Sequence, residues 1–291
     1  MPTPATQELS IRTEDGVELA GEQAGEGPPI LLLHGLTATH RYVVMGSRTL
    51  EREGYRVVAY DARGHGRSTA ALDPSAYSYE RLAFDLEAIL DTLGLQRAVL
   101  AGASMGAHTA LCFALRHPDR VAGLGLITPS LDPDLPLSEP VLARWDALAG
   151  GLREGGVEGF VDAYDFSEVP AQWRDTVEKV VRQRLAGHEH PAAVADALEV
   201  VPRSRPFEAM ADLASIDVPT VVVGSRDEAD PGHPLAVGER YARTIPHAKL
   251  VVEDSSPLAP PARSPIAWQG GQLSKVLIEL AAGLLGKQKR V

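Results

Sequence analysis

Gly102-Ala103-Ser104-Met105-Gly106 follows the apolar run Ala98-Val99-Leu100-Ala101 and opens a helical stretch, Ala107-Ala114. A serine at a sharp strand-to-helix turn is crowded by its neighbours, so only glycine or another small residue fits two positions before and after it. The hydroxyl is left exposed. The next residue then aims its backbone N–H at the place where a negative oxygen would form if the serine attacked a carbonyl. A pentapeptide of small residues arises easily by chance in a chain with 27 glycines, so its weight comes from its surroundings.

Those surroundings alternate between strand and helix. Upstream, Glu8-Thr13 and Val17-Glu22 flank the turn dipeptide Asp15-Gly16 and read as a hairpin. Ile30-Leu33 is a continuous apolar run, as expected of a strand buried on both faces of a parallel sheet, and it ends in His34-Gly35. A helix around Val44-Glu53 leads to the strand Arg56-Tyr60 and then to the loop Asp61-Ala-Arg-Gly-His-Gly-Arg-Ser68. Tyr79-Leu93 carries Leu82, Leu86, Ile89, Leu90 and Leu93 at amphipathic-helix spacing, and Gly94 closes it. After the serine turn comes a further strand, Val121-Ile127. This rhythm predicts a doubly wound parallel sheet.

From about Leu131 to Ser215 the strand signals stop, and helical patterns occupy Val141-Leu152, Val157-Tyr164, Trp173-Leu185 and Ala192-Val200. An insertion leaving the C-terminal end of one sheet strand lies over the end where ligands bind, so this stretch reads as a lid. The sheet resumes at Thr220-Val223 and Leu250-Glu253, and an amphipathic helix closes the chain over roughly Leu273-Leu284. The division expected is a core domain over 1–130 and 216–291 and a helical cap over 131–215.

Composition narrows the function. A net charge of -11 and a pI near 5.3 argue against nucleic acid and anionic membrane surfaces, which need basic patches. A small-molecule substrate is the expected partner. The lone cysteine, Cys112, has no partner for an intramolecular disulfide, and the N-terminus has no basic start or apolar run, so a cytoplasmic location is expected. No glycine-rich phosphate loop, nicotinamide fingerprint or clustered metal ligands stand out, and no cofactor or metal is implied. His188 and His190, flanking Glu189, form at most a weak metal pair.

Leu33-His34-Gly35-Leu36, Asp61-Ala62-Arg63-Gly64-His65-Gly66-Arg67-Ser68, the serine turn and Val223-Gly224-Ser225-Arg226-Asp227 together resemble the α/β-hydrolase superfamily, in particular its helical-capped esterase and C–C hydrolase branch. The resemblance covers Glu8 to Leu284 and implies an α/β fold: a mostly parallel eight-stranded sheet flanked by helices, with a helical cap inserted before the last two strands. It makes Ser104 the nucleophile, the Leu36 and Met105 amides the oxyanion hole, and Asp227 the acid that orients a histidine. Asp230, in the same loop, is the alternative acid, and His233 reads as the start of the next helix. His34 and His65 take loop-shaping roles, and His108, one turn past Ser104, a structural one.

The chain departs from the family pattern where a histidine should follow Leu250-Glu253. No histidine occurs from Asp254 to Val291, and Ala262-Arg263-Ser264-Pro265 stands where relatives read Gly-His-Ser-Pro. Arginine stays protonated and cannot accept the serine's proton. Arg263 can pair with Asp227 instead, as a fixed cation beside the oxyanion hole. His40, in the loop after the oxyanion strand, is the best-placed substitute base. Three readings stand at this point. The first is a small-molecule hydrolase of an ester, lactone or related carbonyl bond acting through Ser104 with an atypical triad. The second is a degenerate ligand-binding protein on the same scaffold, in which Ser104 is only a tight turn and Arg263 anchors an anion, with Arg203 and Arg205 as further anchors. The third is a cofactor-free lyase or isomerase using the oxyanion hole.

Overall fold

The computed structural model describes residues 4–135, 138–227, 229–253 and 268–288, with side chains as far as 283. The hairpin expected at the N-terminus is β1 (Thr6–Arg12) and β2 (Glu18–Ala24). Then come β3 (Pro29–Leu33), α1 (Thr49–Arg52), β4 (Arg56–Tyr60), α2 (Tyr79–Thr92), β5 (Ala98–Ala103), α3 (Met105–Arg116) and β6 (Val121–Ile127). The helix expected around Val44-Glu53 shrinks to the single turn of α1, because Met45 and Gly46 take positive φ values of 47° and 71° that no helix accommodates.

Between β6 and β7 (Thr220–Gly224) the chain is helical: α4 (Glu139–Ala163), α5 (Arg174–Leu185) and α6 (Pro191–Val200), with short 3-10 turns. The two helices read at Val141-Leu152 and Val157-Tyr164 run into one another across a kink at Gly156, whose φ of 61° and ψ of -143° are non-helical. This insert has its own apolar cluster, in which Leu148, Leu152, Phe160, Leu185, Val194 and Leu198 are buried. After β7 come α7 (Leu235–Thr244), β8 (Lys249–Val252) and α8 (Gly270–Gln288).

The strands form one eight-stranded sheet in the order β1-β2-β4-β3-β5-β6-β7-β8. β1, β2 and β4 pair antiparallel in turn, and every other neighbouring pair is parallel. Side chains alternate across a strand, so the all-apolar β3 serves two cores. Leu31 and Leu33 join the cluster under α2, α3 and α7, while Ile30 and Leu32 join the one under α1 and α8. Among the described residues no helix is long and apolar enough to cross a membrane.

One buried ion pair pins the loop after β4. The Arg63 guanidinium and Asp85 carboxylate are each 1% exposed and meet through two bonds of 2.6 and 2.8 Å, while Arg63 also donates to Asp15 at 2.9 Å and to the Ala76 carbonyl at 3.0 Å. The loop is thereby held to the β1–β2 turn and to α2. Removing Asp85 takes away the buried guanidinium's bidentate partner and leaves only the partly exposed Asp15 as its carboxylate. Asp85→Ala is therefore expected to lower unfolding stability in urea by about 3–5 kcal/mol. A loss under ~1 kcal/mol, the range of exposed pairs, would refute that role.

Candidate active site

β5 ends and α3 begins around Ser104, whose backbone lies at φ 49° and ψ -113°, a conformation unfavourable for any residue with a Cβ. The turn is tight enough to require its glycines. A Cβ on Gly102 would lie 2.2 Å from the Gly106 carbonyl carbon, and one on Gly106 would lie 2.1 Å from the Leu33 carbonyl oxygen. Ser104 precedes α3 without capping it, so its hydroxyl is available to another partner.

That partner is His233. Its Nε2 lies 2.8 Å from Ser104 Oγ and its Nδ1 lies 2.7 Å from Asp230 Oδ1. With Nδ1–H donating to the carboxylate, Nε2 presents its lone pair to the Ser104 hydroxyl, the geometry a general base requires. The imidazole and the carboxylate both come from one loop beyond the C-terminal end of β7. Consecutive turns shape it, Asp230 N–H donating to the Asp227 carbonyl at 3.1 Å and His233 N–H to the Asp230 carbonyl at 3.2 Å. Burial alone would raise the Asp230 carboxyl, but the charge and hydrogen bond of His233, with the Arg184 charge, hold it below the ordinary carboxylate range.

His233 does not begin α7, which starts at Leu235 after Pro234. The signal was present in the sequence: a proline disfavours the helical conformation in the residue before it, so His233 stays in the loop. The loop leaves the C-terminal edge of a parallel sheet, where functional groups from different strands converge.

The other expected residues fall as follows. The Asp227 carboxylate accepts from the Ala229 N–H at 2.9 Å, and the carboxylate on the His233 ring is that of Asp230. His40 does not reach Ser104. Its ring nitrogen and its backbone N–H both bond Asp61 Oδ1 at 2.8 Å. The Asp61 carboxyl is correspondingly held at about 2, since the hydrogen bonds from His40 outweigh the cost of burial. The His40 ring is thus anchored on Asp61, while the ring on the Ser104 hydroxyl is that of His233. Arg263 lies outside the described residues. Arg203 pairs with Asp146 at 2.8 Å and Arg205 lies 4.0 Å from Glu208, all on the surface, so each cation has a neighbouring carboxylate.

Met105 is the first residue of α3, so its N–H has no carbonyl four residues back within the helix. Leu36 lies just beyond β3, with its N–H bonded to no acceptor among the described residues. The peptide carrying that N–H is fixed by its own carbonyl. Gly35 O accepts from His34 Nδ1 at 2.8 Å and from the Ala38 N–H at 3.0 Å, and in a trans peptide the N–H points the opposite way. His34 Nε2 in turn accepts from the Ala62 N–H at 2.8 Å. Burial, reinforced by the neighbouring His65, pushes the His34 pKa down to about 3, so the ring is neutral and its tautomer set. His108 is also a buried structural ring. Its Nε2 accepts from the Ser130 and Leu131 amides at 3.3 Å and its Nδ1 meets the Tyr79 hydroxyl at 3.1 Å. Burial, with the charge of His233 nearby, lowers it to about 3.

Residues 28–163 match the family model of the α/β hydrolase fold. A 2-hydroxy-6-oxononadienedioate/2-hydroxy-6-oxononatrienedioate hydrolase of Pseudomonas putida is 32% identical over 81% of this chain and 83% of its own length. The AB hydrolase superfamily protein YisY of Bacillus subtilis is 25% identical over 83% of this chain and 88% of its own. Among solved structures, a thermophilic esterase from Thermogutta terrifontis superposes with a TM-score of 0.76 at 27% identity, covering 96% of this chain and 99% of the esterase. A strained serine between β5 and α3, a sheet in this strand order and these likenesses agree: the chain belongs to the α/β-hydrolase family.

Proposed function

We propose that this chain is a serine hydrolase of small-molecule esters, lactones or related carbonyl bonds, in which Ser104 attacks, His233 is the general base and Asp230 orients it. The observation that carries the reading is the continuous chain of hydrogen bonds from Ser104 Oγ through the His233 ring to the Asp230 carboxylate, at 2.8 and 2.7 Å. The hydrolase relatives support it at the level of reaction class. Ser104 Oγ bonds to the substrate carbonyl carbon as its proton passes to His233 Nε2. The carbonyl oxygen becomes an oxyanion facing the Leu36 and Met105 N–H groups. His233 then returns the proton to the departing alkoxide, and water hydrolyses the acyl-enzyme by the same relay. Two fixed amides stabilise charge that exists only near the transition state, an effect of about 3–4 kcal/mol per donor in hydrolases of this kind. In the same reading residues 131–215 are the lid, and residues 1–130 and 216–291 the core beneath it.

A fluorophosphonate probe is expected to label Ser104 at one equivalent per chain, seen as a mass shift on the peptide that contains it and absent in Ser104→Ala. No labelling together with ligand-induced thermal stabilisation would favour the binding-protein reading. Because an imidazole already sits on Ser104, Arg263→His is expected to produce no gain in p-nitrophenyl ester hydrolysis. A large gain would place the missing base at 263 and displace His233 from the role.

A further inference from the structure

Three successive carbonyls of the loop after β3 each meet a histidine ring. Gly35 O meets His34 Nδ1 at 2.8 Å, Leu36 O meets His65 Nε2 at 2.6 Å, and Thr37 O meets His188 Nε2 at 3.2 Å. The rings lie side by side, with centroids 5.2 Å apart for His34–His65 and 5.4 Å for His65–His188. On their far side they grip the loop after β4: His34 at the Ala62 N–H, His65 at the Arg63 carbonyl and His188 at the Gly66 N–H. His34 and His65 belong to the sheet domain. His188 belongs to the helical insert, between α5 and α6.

We propose that His188 is a positioning residue for the oxyanion hole, one that makes the aim of the Leu36 N–H depend on the helical insert being docked. The inference rests on the hydrolase reading above. Its geometry assigns one tautomer: Nδ1 accepts from the Gly66 N–H at 2.8 Å, so Nε2–H donates to Thr37 O. A second bond fastens the same segment, the Glu189 N–H donating to the Gly66 carbonyl at 2.8 Å. The Leu36 side chain independently reports the coupling, since it packs against both the sheet core and the insert's own apolar cluster. The peptides on either side of Leu36 are thus held by His34 and His65, and the next one along, at Thr37, is held by the insert. When the insert leaves, the downstream anchor at Thr37 leaves with it. Both nitrogens of His188 are engaged by backbone, which gives the ring this role in place of the weak metal pairing with His190.

Asparagine and glutamine separate the two halves of the ring's work, since an asparagine oxygen can stand in for Nδ1 and a glutamine N–H for Nε2–H. His188→Ala is expected to lower kcat for a p-nitrophenyl ester about tenfold with KM nearly unchanged, less than the hundredfold or more of losing an oxyanion donor outright. His188→Gln is expected to recover most of that loss and His188→Asn little of it. An unchanged kcat, a loss confined to KM, or recovery by asparagine alone would overturn the proposal. Wild type and Ser104→Ala are measured alongside. If wild type shows no Ser104-dependent turnover, the hydrolase reading fails by itself, and the proposal is then decided by amide hydrogen exchange at Leu36. Faster Leu36 exchange in His188→Ala than in wild type would support it, and equal exchange would overturn it.

Discussion

His233→Ala is expected to lower kcat for a small ester about a million-fold, to near the rate that oxyanion hole and binding alone sustain. The reason is chemical: Ser104 Oγ has its hydrogen-bonding imidazole only in His233, and a neutral hydroxyl is a poor nucleophile without a base to take its proton. The other histidines near the site already have partners. His40 is on Asp61, His34 joins Gly35 to Ala62, and His108 is held by Tyr79 and the Ser130 and Leu131 amides. Release of p-nitrophenol under single-turnover conditions checks the chemical step directly. A variant keeping more than about one-tenth of the wild-type rate would remove His233 from proton transfer, because a general base contributes at least a hundredfold.

Asp230→Asn is expected to cost about 10⁴ in kcat with little change in KM. An amide in place of the carboxylate can donate to Nδ1, which favours the tautomer with its proton on Nε2 and so points that proton at Ser104. It also leaves the imidazolium formed during attack without its counter-charge. Asp227→Asn is the matched comparison, since this carboxylate accepts from a loop amide while Asp230 holds the ring. It is expected to cost far less. If the two variants ranked in the opposite order in a kcat measurement, the acid would be Asp227 and the reading of the β7 loop would have to be reversed.

The serine turn was legible because its constraint is steric and local. A backbone packed within van der Waals distance at Gly102 and Gly106 admits no Cβ, and that restriction is written in the residue types themselves. The strands β4 and β6 coincide with their expected bounds for a similar reason: a strand covered on both faces is apolar along its buried length, here Val57-Tyr60 and Val121-Ile127. Arg203 and Arg205 show the limit of such reading. Sequence marks them as candidate anion anchors, but Asp146 lies 57 residues from Arg203 along the chain and only folding brings the pair to 2.8 Å.

The sequence by itself determined the sheet, the helical insertion after β6 and the strained serine turn, because each depends on neighbours within a few residues. It also determined that no histidine follows β8. Which imidazole meets Ser104 was decided only by tertiary structure. Ser104 and His233 are 129 residues apart in the chain, and their meeting depends on β5, β6 and β7 lying side by side and ending at one edge of the sheet. Periodicity and local sterics carry no information about such a distance, which the packing of the whole sheet sets.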